Sequence, residues 1–514
     1  MGKTKKKTKG KGTEKTLAKT EKKLIHKFNK QLSNKGEEDI EAILAKIEKE
    51  EQEKLKVVEV QIKTPPTRRC FASLTAHPYK DELILFGGEL CTGDATTLYN
   101  DLFLYKIATK EWVLVKSPCG PPPISSHQAV AVPMNKGELW VFGGEFMTKS
   151  QSQCHHFKDL WMFSLDSKRW SKIVAPGGPS PRSGHRMVLC KRQLILFGGY
   201  FDNLREYKYF NDVYAFNLDD RKWAKLEPTG TPPTPRSGCL MAVTAENKIV
   251  VWGGYSRTNI KKEIEKGTAH SDMFLLSPER NDTTGLKWKW SIVKPGGVRY
   301  FDRSGVSCAY FNNKAYTFGG STDHETEAEI ESEFHNDLHV LSLDKFMWNE
   351  VTVMQKKKQK KPRRKEKQDG EEGEEESDEE ETPDQEPEPK EIVSDGVFTM
   401  QIGPPKDETP TSSCENVHTT NPNNNPHSRI NAVMTIKGSR LYIYGGLYED
   451  LKKNIDYTLN DLHSIDIKKF DEWEVLIPPD FESQDWHEST SESSSSSEEE
   501  DEDSEMEVDS DDEN

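Results

Sequence analysis

Five arginines stand at one recurring position of this sequence, inside short openings rich in Pro, Ser and Gly: Arg69, Arg182, Arg236, Arg303 and Arg429. A sixth copy of the opening, Pro123-Ile124-Ser125-Ser126-His127, carries Ile124 instead. A guanidinium presents planar, paired donors that match a carboxylate or a phosphate. If the copies superpose, five such groups share one level of the molecule and form a candidate binding site. The same chemistry also serves a brace, in which each arginine holds an acid or a loop carbonyl of its own copy. Both readings stand at the level of sequence.

Residues that break the repeat are the second candidate, because loops on a rigid scaffold vary with the ligand. Residues 88–98 form one long loop, and residues 200–209 (YFDNLREYKY) another, which supplies Tyr200, Arg205, Tyr207 and Tyr209. Exposed Tyr and Arg are enriched where binding energy concentrates. His155-His156 suggests half a metal site, but adjacent side chains point apart and no third ligand is evident, so no metal is expected. His127 and His185 occupy openings and read as packing. No G-x-S-x-G, H-E-x-x-H or phosphate loop occurs, so neither a catalytic residue nor a cofactor is expected.

The elements that position these residues repeat with them. Six apolar runs end in a glycine doublet, at Gly87, Gly143, Gly198, Gly253, Gly319 and Gly445. Each is followed by a variable loop and an Asp (Asp101, Asp159, Asp212, Asp272, Asp337, Asp461). Alternating apolar residues come next, then a Trp: Trp112, Trp170, Trp223, Trp288 or Trp290, Trp348 and Trp473. Short strands separated by turn chemistry, copied at a period near 55 residues, indicate an all-β array.

The doublet, the aromatic before it and the spaced Trp, six times in register, resemble the kelch family over roughly residues 66–352 and 427–478. The resemblance implies a six-bladed β-propeller, each repeat a four-stranded blade around a central channel. It also implies that the opening arginines lie near the channel mouth, where some kelch proteins contact acidic peptides. The Trp is expected to fill the space between blades. The interval before the last doublet is 126 residues, too long for one blade, and marks a charged insertion. Its apolar island at 393–402 leaves a seventh blade as the alternative. Residues 57–62 read as an outer strand for the last blade.

The flanks differ in charge. Thirteen lysines and two glutamates fall within residues 1–35, no Lys or Arg follows Ser491, and the net charge is −16. With 33% hydrophobic and 31% charged residues, long solvated segments are expected. The expected organisation is a disordered lysine-rich arm with short polar helices at 1–55, blades 1–5 at 56–352 and a charged insertion at 353–426. Blade 6 follows at 427–478, then an acidic Ser-rich tail at 479–514. The arm's narrow apolar stripes suit helices lying on another surface or a coiled coil. Eight scattered cysteines, no signal peptide and no apolar run near 18 residues suggest free thiols and an intracellular protein, nuclear or cytoplasmic, with no membrane contact.

Residues 356–367 resemble a nuclear localisation stretch, and Ser377, Ser494, Ser495, Ser496 and Ser497 precede acidic residues as candidate phosphorylation sites. The acidic tail suits basic proteins as partners; the lysine arm suits weak, non-specific RNA contact. The function expected is a non-enzymatic scaffold that grips a protein partner on a propeller face. The alternatives are a ubiquitin-ligase substrate receptor and an assembly or chaperone-like factor for basic ribonucleoprotein components.

Overall fold

The computed structural model describes residues 56–353 and 424–484, apart from 94, 204–205, 262–263, 300–301, 326–329, 452 and 454, together with short strands at 392–394 and 399–401. Every element among them is a β-strand. The strands form six blades, antiparallel apart from Gly296–Gly297, which joins the outer strand of blade 5 in parallel, so the fold is an all-β six-bladed propeller. Blade 3 shows the pattern: Arg186–Cys190, Gln193–Phe197, Val213–Asn217 and Lys222–Leu226 lie side by side from the channel outward. The innermost strand of blade 1, Ser73–Ala76, adjoins that of blade 6, Val433–Lys437, which closes the ring.

The second strand of each blade explains the unbroken apolar runs. Leu83, Ile84, Leu85 and Phe86 are all fully buried, because both faces of the blade are covered. Successive side chains point to opposite faces. Ile84 and Phe86 accordingly pack with Leu139, Val141 and Phe163 of blade 2, while Leu83 and Leu85 pack with Tyr442, Tyr444 and Leu462 of blade 6. The core is six such seams rather than one centre.

Each repeat Trp crosses a seam to the aromatic that precedes the glycine doublet of the previous blade. Trp170 meets Phe86 at 4.9 Å between ring centroids, Trp223 meets Phe142 at 5.3 Å, and Trp290 meets Phe197 at 5.5 Å. Trp348 meets Trp252, Trp473 meets Phe318, and Trp112 meets Tyr444. Trp290 is thus the residue that crosses in blade 4, with Trp288 buried beside it.

The doublet is glycine for two reasons. Gly87 and Gly88 both have positive φ, 66° and 96°. A Cβ on Gly88 would also sit 2.7 Å from the Ala72 Cβ and 2.9 Å from the Cys70 carbonyl oxygen.

Two expectations are corrected. Val58–Ile62 pairs with Glu111–Lys116, the outer strand of blade 1, as a fifth strand and does not join the last blade. Glu474–Ile477 completes blade 6 from its own repeat. The island near residue 393 makes a separate two-stranded pair, Ile392–Ser394 with Thr399–Gln401, in its own unit at 355–424, and adds no seventh blade. Residues 480–484 still pack on the ring, through Arg68–Asp480 at 3.1 Å and the rings of Phe481 and Tyr457 at 5.4 Å. The expectations for residues 1–55 and 356–367, and for Ser377 and Ser494–Ser497, lie outside the described residues.

A crown of hairpins as the candidate binding site

The chain leaves each glycine doublet into a hairpin, so all six hairpins rise from the same end of the ring. They are Glu89–Thr92 with Ala95–Leu98, Glu145–Met147 with Cys154–His156, and Tyr200–Asp202 with Tyr207–Tyr209. Tyr255–Lys261 pairs with Ile264–Ala269, and Ser321–Glu325 with Ile330–Phe334. In blade 6 the two middle strands, Arg440–Asp450 and Ile455–Asp466, simply run on. The first residue of each hairpin bridges the residue after the opening position, as Glu89 does with Cys70, Glu145 with Ser125 and Tyr200 with Ser183. The crown surrounds a central channel of about 870 Å3, bordered by Glu145, Tyr200, Tyr255 and Asp323.

The five opening arginines do not face that channel mouth. They are 0–7% exposed and turned into their own blades. Each donates to the carbonyl of the first doublet glycine, as Arg182 does to Gly198 and Arg429 to Gly445, at 3.0 and 2.9 Å. Four form two-bonded pairs with the repeat Asp: Arg182–Asp212, Arg236–Asp272, Arg303–Asp337 and Arg429–Asp461. Arg69 stands 3.7 Å from Asp101 and stacks over the Tyr99 ring at 4.4 Å. In blade 2, where Ile124 replaces the arginine, Asp159 pairs with Lys172 at 2.8 Å.

Burial would raise the carboxyl of Asp461, yet Arg429 and His463 hold it well below the usual range. The backbone of the same position crosses the seam. In five seams the second glycine of one blade donates to the opening carbonyl of the next, as Gly144 does to Arg182 and Gly199 to Arg236, both at 2.9 Å. These arginines therefore brace blades and carry the seam.

The 200–209 loop is placed differently. Its tyrosines form one cluster on the blade 3 hairpin: Tyr200 and Tyr209 are cross-strand partners 4.9 Å apart, and Tyr207 lies 6.0 Å from Tyr209. Arg257 reaches over from the blade 4 hairpin, donates to the Tyr200 hydroxyl at 2.9 Å and lies over the Tyr207 ring at 5.1 Å. The Tyr200 hydroxyl donates to the Asp202 carboxylate; burial, with that carboxylate, pushes the phenol above its ordinary range. Arg205 lies outside the described residues.

The two adjacent histidines separate as a strand requires: His155 is exposed, and His156 is buried. His156 stands with Glu145 and Cys154 in one group and accepts the Asp202 N–H at 3.1 Å. A second group joins Cys70, Glu89 and Cys91. Neither trio was legible as a motif. Their signal is alternate positions of one hairpin strand, Glu89 with Cys91 and Cys154 with His156, completed by a cross-strand partner. His127 and His185 pack on Phe86 and Phe142, as expected.

A family model for the KLHDC2/KLHL20/DRC7 kelch-repeats domain matches residues 32–202, 73–320 and 184–368, more than half of the sequence. The chain belongs to the kelch-repeat family. Relatives of this kelch chain include kelch domain-containing protein 1 of Mus musculus, 28% identical over 41% of this chain and 52% of that one. Kelch domain-containing protein 2 of Bos taurus is 26% identical over 45% and 57%. The flagellar outer-arm dynein alpha chain of Chlamydomonas reinhardtii is 27% identical over 46% of this chain and 5% of its own length. The matches thus span about half of the kelch domain-containing relatives and a small part of the dynein. The solved structure of YjhT aligns at 14% identity with a TM-score of 0.47, over 80% of this chain and 99% of that one. Among the described residues no helix is long and apolar enough to cross a membrane.

Proposed function

We propose that this kelch propeller is a non-enzymatic protein-binding scaffold, that its hairpin crown holds the partner, and that the charged flanks add contacts. One observation carries the reading. The blade 3 hairpin gathers three tyrosine rings with the Arg257 guanidinium, and its Tyr200 borders the channel. Aromatic and Arg side chains on a rigid base lose little entropy on binding and concentrate its energy. The order of parts, with a lysine-rich start, six repeats, a charged insertion before the last and an acidic end, resembles the kelch domain-containing protein 4 group.

Quantitative affinity capture tests the proposal, comparing the full chain, a chain without residues 1–55 and 485–514, and a Tyr207→Ala/Tyr209→Ala chain of unchanged Tm. The expected result is partners that survive loss of the flanks and fall at least tenfold with the tyrosine substitutions. Partners lost with the flanks alone would overturn it. Recovery of a cullin adaptor would favour the substrate-receptor reading, and basic ribonucleoprotein components lost with the acidic end would favour the assembly-factor reading.

A further inference from the structure

The seam between blades 6 and 1 joins parts of the chain nearly 400 residues apart, and its bonds are long. The glycine-to-carbonyl bond is 3.2 Å there, Gly446 to Arg69, against 2.9 Å for Gly88, Gly144, Gly199 and Gly320. The brace of blade 1 is also the loosest, Arg69 to Asp101 at 3.7 Å against 2.5 or 2.6 Å in the four other pairs. Among the described residues no strand is exchanged across this seam.

Three metal-ligating side chains converge beside it. Cys70 follows Arg69 and bridges Glu89 across antiparallel strands. Cys91 is two residues beyond Glu89, so its side chain leaves the strand on the same face. The two sulfurs and a Glu89 carboxylate oxygen all lie within 4.8 Å of one another. Cys70 is buried, while Glu89 and Cys91 are half-buried, which leaves a route for an ion. The thiols make long S–H contacts, Cys70 to the Glu89 carbonyl at 3.6 Å and Cys91 to the Glu89 carboxylate at 3.7 Å, and lie within hydrogen-bonding reach of each other. Among the described residues no Lys, Arg or His pairs with Glu89 within 4.0 Å.

We propose that Cys70, Glu89 and Cys91 form a site for a tetrahedral divalent cation that favours thiolate, zinc by preference, with water as the fourth ligand. Two thiolates and a carboxylate suit zinc and disfavour magnesium and calcium. Binding releases the two thiol protons and the waters that the ligands displace, and forms two metal–sulfur bonds and one bond to the carboxylate oxygen beside a retained water, with no change of oxidation state. The ion fixes the blade 1 side of the closing seam, because the Cys91 backbone is already tied across it. The Cys91 N–H donates to the Thr458 hydroxyl at 3.2 Å, and that hydroxyl and the Gln484 amide both donate to the Cys91 carbonyl. The neighbouring trio of Glu145, Cys154 and His156 is less suited. Its imidazole already accepts the Asp202 N–H at one nitrogen and faces Glu145 at 3.7 Å with the other.

The test titrates Co2+ into the chelator-treated full chain carrying Cys414→Ser, which removes the cysteine outside the described residues. Expected are one Co2+ per chain with thiolate-to-metal charge-transfer absorption, displacement by Zn2+, and a Zn2+-dependent rise in Tm. Cys91→Ser abolishes the band and the Tm rise, Glu89→Gln weakens binding at least tenfold, and Cys154→Ser changes neither. A folded chain without the band, or a Cys91→Ser chain with the full band, would overturn the proposal. Should Cys91→Ser not fold, undiminished affinity in Glu89→Gln would overturn it as well.

Discussion

Trp112 of the first blade rests on Tyr444 of the last, with ring centroids 6.0 Å apart. The pair seals the ring with the same aromatic contact that joins the other blades, although these residues are farthest apart in the chain. Closure is therefore a packing event between chain ends, and its strength can be measured directly.

Trp112→Ala removes a buried ring that also touches Phe103 and Tyr105. Loss of a buried aromatic of this size costs about 3–5 kcal/mol. Denaturant unfolding should show that loss for Trp112→Ala and a similar one for Trp170→Ala. A loss under about 1 kcal/mol at Trp112 alone would mean that the closing seam does not contribute to stability.

Arg429 and Asp461 are both fully enclosed, and each holds the other's charge. Removing one partner strands a buried charge at a cost of about 3–5 kcal/mol, whereas replacing both by apolar residues of similar volume costs much less. Equilibrium unfolding of Arg429→Met, Asp461→Leu and the double variant checks this. The double variant should be more stable than either single one.

Burial lowers the imidazole of His127 to about 3 and that of His77 to about 4. The unfolded chain takes up a proton at each near pH 6.5, and the folded chain does not until the lower value. Since the unfolded state binds more protons, stability is complete above about pH 6.5 and declines as pH falls toward 4 and then 3. Each histidine contributes a slope of about 1.4 kcal/mol per pH unit inside its window. Thermal unfolding from pH 7 to 4 should show a shallower decline for His127→Gln than for the parent chain.

Val58 and Val60 are 44% and 38% exposed, and their strand adds only an edge to blade 1. A chain beginning at Lys63 should keep the ring and lose a few degrees of Tm. Truncation before Glu474 should unfold it, because that strand carries the outer edge of blade 6 and follows Trp473. Far-ultraviolet circular dichroism of the two truncated chains distinguishes them.

Much of this architecture was legible in the sequence because its signals are seam signals. Leu83–Phe86, the doublets and the tryptophans all meet a neighbouring blade, and every blade has the same neighbours. For the arginines the sequence offers both a brace and a binding site, and it does not name the acid each one holds. Arg182 and Asp212 are 30 residues apart, and only the pairing of strands brings them together. Val58–Ile62 joins blade 1 and not the last blade, a choice its sequence does not announce because an alternating apolar strand fits any open edge. The trios around Glu89 and His156 depend on hairpin register, which their intervening residues do not announce.

The bond from a doublet to the next opening carbonyl has a topological consequence between blades 5 and 6. Blade 5 reaches blade 6 through Gly320 and the Arg429 carbonyl, and not through the peptide chain between them. A protease cut within residues 355–423 would then yield two polypeptides that migrate together until denatured. That outcome would make covalent continuity dispensable at that point, leaving the intervening sequence free to lengthen, to change its charge or to be cleaved while the wheel stays whole.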